Sequence, residues 1–202
     1  MNDRVIDYYF TPVSPWTYLG HARFVAVAER AGATVRVKPC DFGRIFAATG
    51  GLPLGQRAAQ RKSYRLLELA RYRDELGVPL NVNPRFFPVS AEAASLRIIA
   101  ANDRALALTG ACLNAVWVEE RDLASEAELD ALAVACGLDA RALKDAAARD
   151  ETRRRLDEYT EEAIAREVFG APTFIPSFGS ASGQRFWGQD RIDLLERSLV
   201  DG

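Results

Sequence analysis

The sequence of 202 residues has few of the side chains that most often bind metals or exchange electrons: one histidine, one methionine and three cysteines. Cys40, Cys112 and Cys136 lie far apart and form no Cys-x-x-Cys pair. Isolated thiols are typical of a reducing compartment, so we expect a cytoplasmic protein without disulfides. With His21 as the one histidine, no zinc site of the usual ligand types is expected. No nucleophile-elbow motif supports a Ser-His-Asp triad.

The sequence also lacks a charge excess and a long hydrophobic run. Its 26 basic and 28 acidic residues give a formal net charge of -2, so we do not expect nucleic acid as a partner. No apolar run approaches the length needed to span a bilayer, and the polar residues 1–4 are not typical of a secretory signal. The hydrophobic share of 49% is that of a globular protein, either one compact unit or a core with an inserted subdomain.

The first apolar stretch combines a predicted strand with a predicted helix start. Val5 to Phe10 is rich in β-branched and aromatic residues, which predicts a buried strand. Pro15 suits the first position of a helix, which makes Ser14 the predicted N-cap. The free amides and the dipole at that end also favour an anion. For an isolated Ser-Pro pair, capping alone is the simplest interpretation, and anion binding is the alternative.

The remaining sequence predicts a βαβ unit, a long helical stretch and a final strand–helix unit. Thr34 to Lys38 alternates and predicts a second strand, parallel to the first through a right-handed crossover. The stretch from 41 to 168 is mainly helical, and Ser125 and Glu128 have the spacing of a capping box. An X-Pro step at Pro172 then precedes a strand, and Asp190 is predicted to cap the last helix.

The order of these motifs resembles the 2-hydroxychromene-2-carboxylate isomerases, relatives of the kappa-class glutathione transferases. The resemblance implies an α/β fold with a thioredoxin-like core and a large all-helical insertion, as in DsbA and the kappa transferases. It divides the chain into a thioredoxin-like domain of residues 1–40 and 169–202 and an inserted helical domain of residues 41–168. It also implies a cis bond before Pro172 and a homodimer. The matching residues are Tyr9-Phe10, Ser14-Pro15-Trp16-Thr17-Tyr18-Leu19, Gly170-Ala171-Pro172-Thr173-Phe174 and Phe186-Trp187-Gly188-Gln189-Asp190-Arg191.

In this arrangement Ser14 and Thr17 stand where a thioredoxin-type redox protein has its two cysteines. Dithiol exchange is therefore not expected. A hydroxyl without an adjacent base is a poor nucleophile, but it can donate a hydrogen bond to a thiolate. Helix N-termini also lower the pKa of a thiol. These properties favour a thiol-bearing cofactor, and the resemblance names it as glutathione.

The resemblance assigns a reaction and a set of residues. The reaction is a glutathione-dependent cis–trans isomerisation of 2-hydroxychromene-2-carboxylate-type aromatic catabolites to trans-o-hydroxybenzylidenepyruvate-type products. Ser14 is the catalytic residue that contacts the thiol. For the other positions, the expected glutathione contacts are Lys62 (with Arg61 as the alternative), Ala171, Pro172, Gln189 and Asp190, and the expected substrate contacts are Trp16, Lys38 and Arg44.

The sequence departs from the family pattern at two positions, and three other functions remain open. The loop Gly50-Gly51-Leu52-Pro53 lacks an asparagine that relatives often carry, and Ser90 replaces another. The first alternative is a kappa-type transferase that conjugates glutathione to electrophiles. The second is a non-catalytic thioredoxin-fold binding protein. A disulfide oxidoreductase ranks last, because both sulfurs are absent.

Overall fold

The computed structural model describes residues 4–200, which form a four-stranded mixed sheet packed between helices. The strands are β1 (Val5–Phe10), β2 (Thr34–Pro39), β3 (Thr173–Pro176) and β4 (Phe186–Trp187). Within these residues the helices are α1 (Pro15–Arg30), α2 (Phe42–Thr49), α3 (Ala59–Leu76), α4 (Glu92–Ala100), α5 (Ala105–Trp117), α6 (Glu126–Ala135), α7 (Ala140–Ala147), α8 (Asp150–Ala165) and α9 (Ile192–Val200).

The sheet has the strand order β2-β1-β3-β4 and confirms the predicted thioredoxin-like core. Strand β1 pairs with β2 in parallel, with Val5 opposite Thr34, and α1 forms the connection between them. Strand β3 runs antiparallel to β1, and β4 runs antiparallel to β3. Helices α2 to α8 all lie between β2 and β3 in the sequence, where the helical insertion was predicted. Whether residues 41–168 form a separate domain stays a prediction.

Both faces of β1 are buried, which explains its nearly continuous apolar sequence. Ile6, Tyr8 and Phe10 face the larger core, which α1, α5 and α9 complete, whereas Tyr9 faces a smaller cluster with residues of α2 and α8. The Tyr8 ring stacks on Phe174 of β3 with a centroid distance of 5.3 Å. Burial of these aromatic rings fixes the sheet against α1, and thereby fixes the end of β1 from which the chain enters the candidate site.

The bounds of three helices in the insertion have clear local causes. Ser125 accepts a hydrogen bond from the Glu128 amide at the start of α6, as predicted, and Asp139 accepts one from the Ala142 amide at the start of α7. The charged helix α8 ends at Ala165, because Glu167 has a φ of 57° and the Val168 amide returns to the Ala163 carbonyl. Among residues 4–200, none of the helices is long and apolar enough to cross a membrane.

Candidate active site

A cleft with a volume of about 1200 Å³ lies where β1 ends and α1 begins. One wall is the start of α1 together with the segments on either side of β3 and β4. The opposite wall is the loop after α2 and one face of α3. The cleft therefore joins the two parts of the chain that the sequence assigned to the thioredoxin-like core and to the helical insertion.

Ser14 lies in this cleft as the N-cap of α1, which confirms the predicted capping role. Its Oγ accepts a hydrogen bond from the Thr17 amide at 3.2 Å, and the residue is only 9% exposed. The amide uses a lone pair of Oγ, so the hydroxyl hydrogen stays available to an acceptor in the cleft. Among the described residues no base contacts Ser14, so its geometry suits donation to an anion rather than nucleophilic attack.

Ala171 lines the same cleft, and the Ala171–Pro172 bond is cis, as expected. The Pro172 carbonyl accepts from the Gly188 amide at 2.9 Å, and the Thr173 hydroxyl donates to the Gly170 carbonyl at 2.7 Å. Ala171 is half-buried, and within residues 4–200 no hydrogen bond engages its N–H or its C=O. A free donor and a free acceptor on one residue, directly before strand β3, can pair with a peptide-like ligand in the manner of strand addition.

Gln189 carries a buried donor without a partner. The side chain is 2% exposed, its Oε1 accepts from Arg23 at 3.1 Å, and its Nε2 contacts no acceptor among the described residues. Gly20 of α1 allows this approach, since a Cβ there would lie 2.9 Å from the Cβ of Gln189. A buried amide that lacks an acceptor costs free energy, so a ligand acceptor at this position would be favourable.

Asp190 lines the cleft next to Gln189, but the prediction that it caps the last helix is wrong. Residues Gln189–Arg191 form a 3-10 turn that continues directly into α9. Gly188, with a φ of 103°, directs the chain into this turn, and a Cβ there would collide with Asp190. The Asp190 carboxylate forms an ion pair with Arg191 instead of accepting from the helix amides.

Three arginines on the opposite wall have no carboxylate partner among the described residues. Arg57 precedes α3, and Arg61 and Arg65 follow it at intervals of four, so the last two share one helix face. Burial, together with the charge of Arg57, lowers the pKa of Arg65 to about 10. Burial and the charge of Arg61 also lower the pKa of Arg57. The cleft thus contains positive charges that repel one another. The sequence interpretation missed Arg57 and Arg65, although their spacing from Arg61 was visible.

Aromatic side chains line both walls of the cleft. Trp16 meets Tyr72 of α3 edge to face, with a centroid distance of 6.2 Å. On the same wall as Trp16, Trp187 is 50% exposed and packs on Phe169 with a centroid distance of 4.7 Å. The Trp187 ring also lies over Gly170, where a Cβ would be 2.2 Å from its Nε1. The cleft therefore offers apolar surface for an aromatic ligand beside its positive charges.

The comparisons with known proteins agree with this architecture. Residues 5–200 match the family described as the DSBA-like thioredoxin domain. A curated 2-hydroxychromene-2-carboxylate isomerase from Pseudomonas putida is 30% identical over 202 residues, covering 96% of this chain and 94% of the relative. The chain belongs to the 2-hydroxychromene-2-carboxylate isomerase family, within the DSBA-like thioredoxin proteins.

Similar proteins include further isomerases of this family and a disulfide reductase with the same fold. A 2-hydroxychromene-2-carboxylate isomerase from Sphingobium xenophagum is 29% identical, covering 98% of this chain and 99% of the relative. A solved 2-hydroxychromene-2-carboxylate isomerase structure matches with a TM-score of 0.78 at 29% identity, covering 97% and 94% of the two chains. The cytosolic disulfide reductase DsbM from Pseudomonas aeruginosa, solved with GSH, matches at 0.67 and 18% identity over 97% and 99%, which shows a shared fold alone.

Two of the positions expected to contact the substrate in this isomerase fold lie outside the cleft. Lys38 is buried beneath α8, with its Nζ 2.7 Å from both carboxylate oxygens of Glu162 and 3.0 Å from Asp7. Arg44 faces solvent and pairs with Asp157 of α8 at 2.7 Å. Both cations already have carboxylate partners, and neither lines the cleft, so we propose no substrate contact for them.

The structure also separates the two cations considered for glutathione. Lys62 is exposed, and its Nζ lies 3.5 Å from the Gly55 carbonyl, outside the cleft lining. Arg61 lines the cleft. The placement favours Arg61, which the sequence had offered as the alternative. The cleft is lined by five other residues that the sequence predicted for the site: Ser14, Trp16, Ala171, Gln189 and Asp190. Pro172 lies directly beside Ala171.

Proposed function

We propose that this protein is a glutathione-dependent isomerase that converts 2-hydroxychromene-2-carboxylate-type aromatic catabolites into trans-o-hydroxybenzylidenepyruvate-type products. The observation that carries the proposal is the Ser14 hydroxyl at the start of α1, inside a cleft with an unpartnered peptide group at Ala171 and unneutralised arginines. The similarity to curated isomerases over nearly the full length supports the isomerase activity.

The cleft residues fit glutathione in their hydrogen-bonding capacity. The Ala171 N–H and C=O suit the cysteinyl peptide of the cofactor. The buried Gln189 Nε2 suits a γ-glutamyl oxygen, and the Asp190 carboxylate suits the γ-glutamyl ammonium. Arg61 suits the glycyl carboxylate. The γ-glutamyl ammonium is thus matched by the negative charge of Asp190 on one wall, and the glycyl carboxylate by the positive charge of Arg61 on the other wall.

When bound, glutathione supplies a thiol that can add to a conjugated double bond and leave again after rotation, with no net oxidation. The contribution of the chain is to keep that thiol ionised. The Ser14 hydroxyl donates to the sulfur, and the dipole of the sixteen-residue helix α1 favours negative charge at the same point. Trp16 and Trp187 then provide apolar surface for the aromatic ring beside the sulfur.

We further propose a cytoplasmic homodimer. The buried thiols of Cys40 and Cys112 support the location, because free thiols persist in a reducing compartment. The homodimer rests on the family resemblance, and light scattering of the purified protein tests it.

The experiment is a turnover assay with 2-hydroxychromene-2-carboxylate in the presence and absence of glutathione, with identification of the product. We expect isomerisation that requires glutathione, and a loss of about 100-fold in kcat for Ser14→Ala, since removal of one donor to a developing anion typically costs this much. Ser63→Ala, on the exposed face of α3, is the matched control and should match the wild type. A glutathione conjugate as the product would identify a kappa-type transferase instead.

A further inference from the structure

The three unpaired arginines of the cleft form a group with more positive charge than the cleft itself neutralises. The two acidic residues that line the cleft already have cationic partners: Glu68 pairs with Arg71 at 2.6 Å, and Asp190 pairs with Arg191. The guanidinium groups of Arg57, Arg61 and Arg65 therefore face the cleft wall without a balancing carboxylate among residues 4–200. Like charges brought this close are stabilised by an anion between them.

Two of these guanidinium groups are held in place by aromatic rings. Arg65 lies 5.3 Å from the centroid of Phe87 and 5.8 Å from that of Trp117. Arg57 lies 5.7 Å from the centroid of Phe46, and its Nε donates to the Leu52 carbonyl at 2.8 Å. Stacking restricts the orientation of both guanidinium groups, and the hydrogen bond to Leu52 further restricts that of Arg57. The two terminal nitrogens of each group stay free to bind a carboxylate.

The position of Arg65 along α3 separates it from the thiol end of the cleft. Arg65 lies seven positions before Tyr72, which meets Trp16 near the start of α1. At a rise of 1.5 Å per residue, this spacing is about 10 Å along the helix axis. An aromatic ring with a short carboxylated side chain has a similar length, so one end can reach the thiol while the carboxylate reaches the arginines.

We propose that Arg57 and Arg65 form a carboxylate clamp that selects an anionic aromatic substrate and orients it toward Ser14. The inference rests on the proposed function and extends it, because it assigns specificity to two residues that no comparison identifies. Arg61, at the exposed start of α3, remains for the glycyl carboxylate of glutathione. The clamp makes the substrate carboxylate a requirement for binding, and it replaces the roles that the sequence suggested for Lys38 and Arg44.

The test uses trans-2-hydroxycinnamate and its methyl ester as probes, measured by calorimetry on the wild type, Arg57→Gln, Arg65→Gln and Arg65→Lys. The matched control is Arg73→Gln, which changes an arginine of α3 that pairs with Asp74 outside the cleft. We expect the wild type and the control to bind the acid at least about tenfold more tightly than the ester, as charge-assisted hydrogen bonds allow. Each glutamine variant should lose most of this preference, and Arg65→Lys should retain part of it.

The outcomes also separate the clamp from the cofactor site. Glutathione binding should stay within about twofold of the wild type in all four arginine variants. Equal affinity of the wild type for acid and ester, or no binding of either, would overturn the clamp. Weakened glutathione binding in Arg65→Gln would also overturn it, since the anion bound by Arg65 would then be the cofactor.

The acid-to-ester ratio is measured without glutathione, so failure of the wild type to bind glutathione would count against the proposed function alone. If Arg65→Gln does not fold, Arg57→Gln and Arg65→Lys decide the test.

Discussion

Arg23 of α1 donates from Nη1 to the Oε1 of Gln189 at 3.1 Å and from Nη2 to Asp193 at 2.7 Å. This bridge holds the Gln189 amide so that its Nε2, rather than its oxygen, is left without a partner among the described residues. Arg23 does not line the cleft, so we interpret it as a positioning residue that acts through Gln189.

Arg23→Met should therefore weaken glutathione binding by about three- to tenfold, a loss of the size expected for one misplaced hydrogen bond. The dipeptide Cys-Gly lacks the γ-glutamyl group, so its affinity should not change. Calorimetry with both ligands measures the difference. Arg30→Met is the control, because Arg30 links α1 to Glu196 without contacting Gln189. If the affinities for glutathione and Cys-Gly fall equally, the γ-glutamyl end does not bind at Gln189.

Lys38 should contribute to stability rather than to substrate binding. Asp7 is buried with Lys38, Arg36 and Arg166 around it, and although burial alone would raise the pKa of Asp7, these cations lower it. Lys38→Met leaves a buried carboxylate with fewer partners and should reduce the free energy of unfolding by about 3 kcal/mol.

Chemical denaturation measures this loss, with Lys62→Met as the exposed control that should change stability by less than about 0.5 kcal/mol. The KM of folded Lys38→Met for substrate should equal that of the wild type. A stable Lys38→Met protein with a raised KM would restore Lys38 as a substrate ligand.

How much of the site the sequence could predict depends on how local each interaction is. The Ser14 cap and the strand after Pro172 follow from neighbouring residues, and both were predicted correctly. The partner of Lys38 is Glu162, 124 positions later in the chain, so the strand pattern could not reveal that the lysine is buried and paired. Asp190 had the side chain of a helix cap, but the 3-10 turn after Gly188 moved the start of α9 beyond it.

The pH dependence of stability should reveal the half-buried His21. His21 of α1 packs against Gly110 of α5, where burial lowers the pKa of His21 to about 4, while a hydrogen bond to the backbone of Leu106 partly opposes the shift. The unfolded chain, with a histidine pKa of about 6.5, then binds more protons than the folded chain below pH 6.5. Stability is therefore constant above this pH and decreases as the pH falls toward 4.

Between pH 7 and pH 5 the loss should be about 2 kcal/mol, from the difference between these two pKa values. Urea unfolding at several pH values measures it. His21→Gln should show a much smaller change over this interval, because few other groups titrate there. An equal change in both proteins would mean that His21 is not the group responsible.

The contact between Gly170 and Trp187 should control access to the cleft. A methyl group at Gly170 would overlap the indole nitrogen of Trp187 and displace the ring from Phe169. We expect Gly170→Ala to raise the KM for the aromatic substrate several-fold while the protein still binds glutathione. Steady-state kinetics measure the effect, and Gly55→Ala is the control, because nothing lies within 4 Å of a Cβ there. An unchanged KM would show that the Trp187 position is not part of substrate binding.

We propose that Ser14 and the start of α1 keep a glutathione thiol ionised, and the pKa of the bound thiol is the decisive measurement. Ultraviolet absorbance of the thiolate, recorded against pH with saturating glutathione, gives this pKa for the wild type and for Ser14→Ala. We expect the pKa of the bound thiol in the wild type to be well below the value of about 8.5 for a free thiol, and we expect a higher pKa in Ser14→Ala. A bound thiol with the same pKa in both proteins, or no binding at millimolar glutathione, would contradict it.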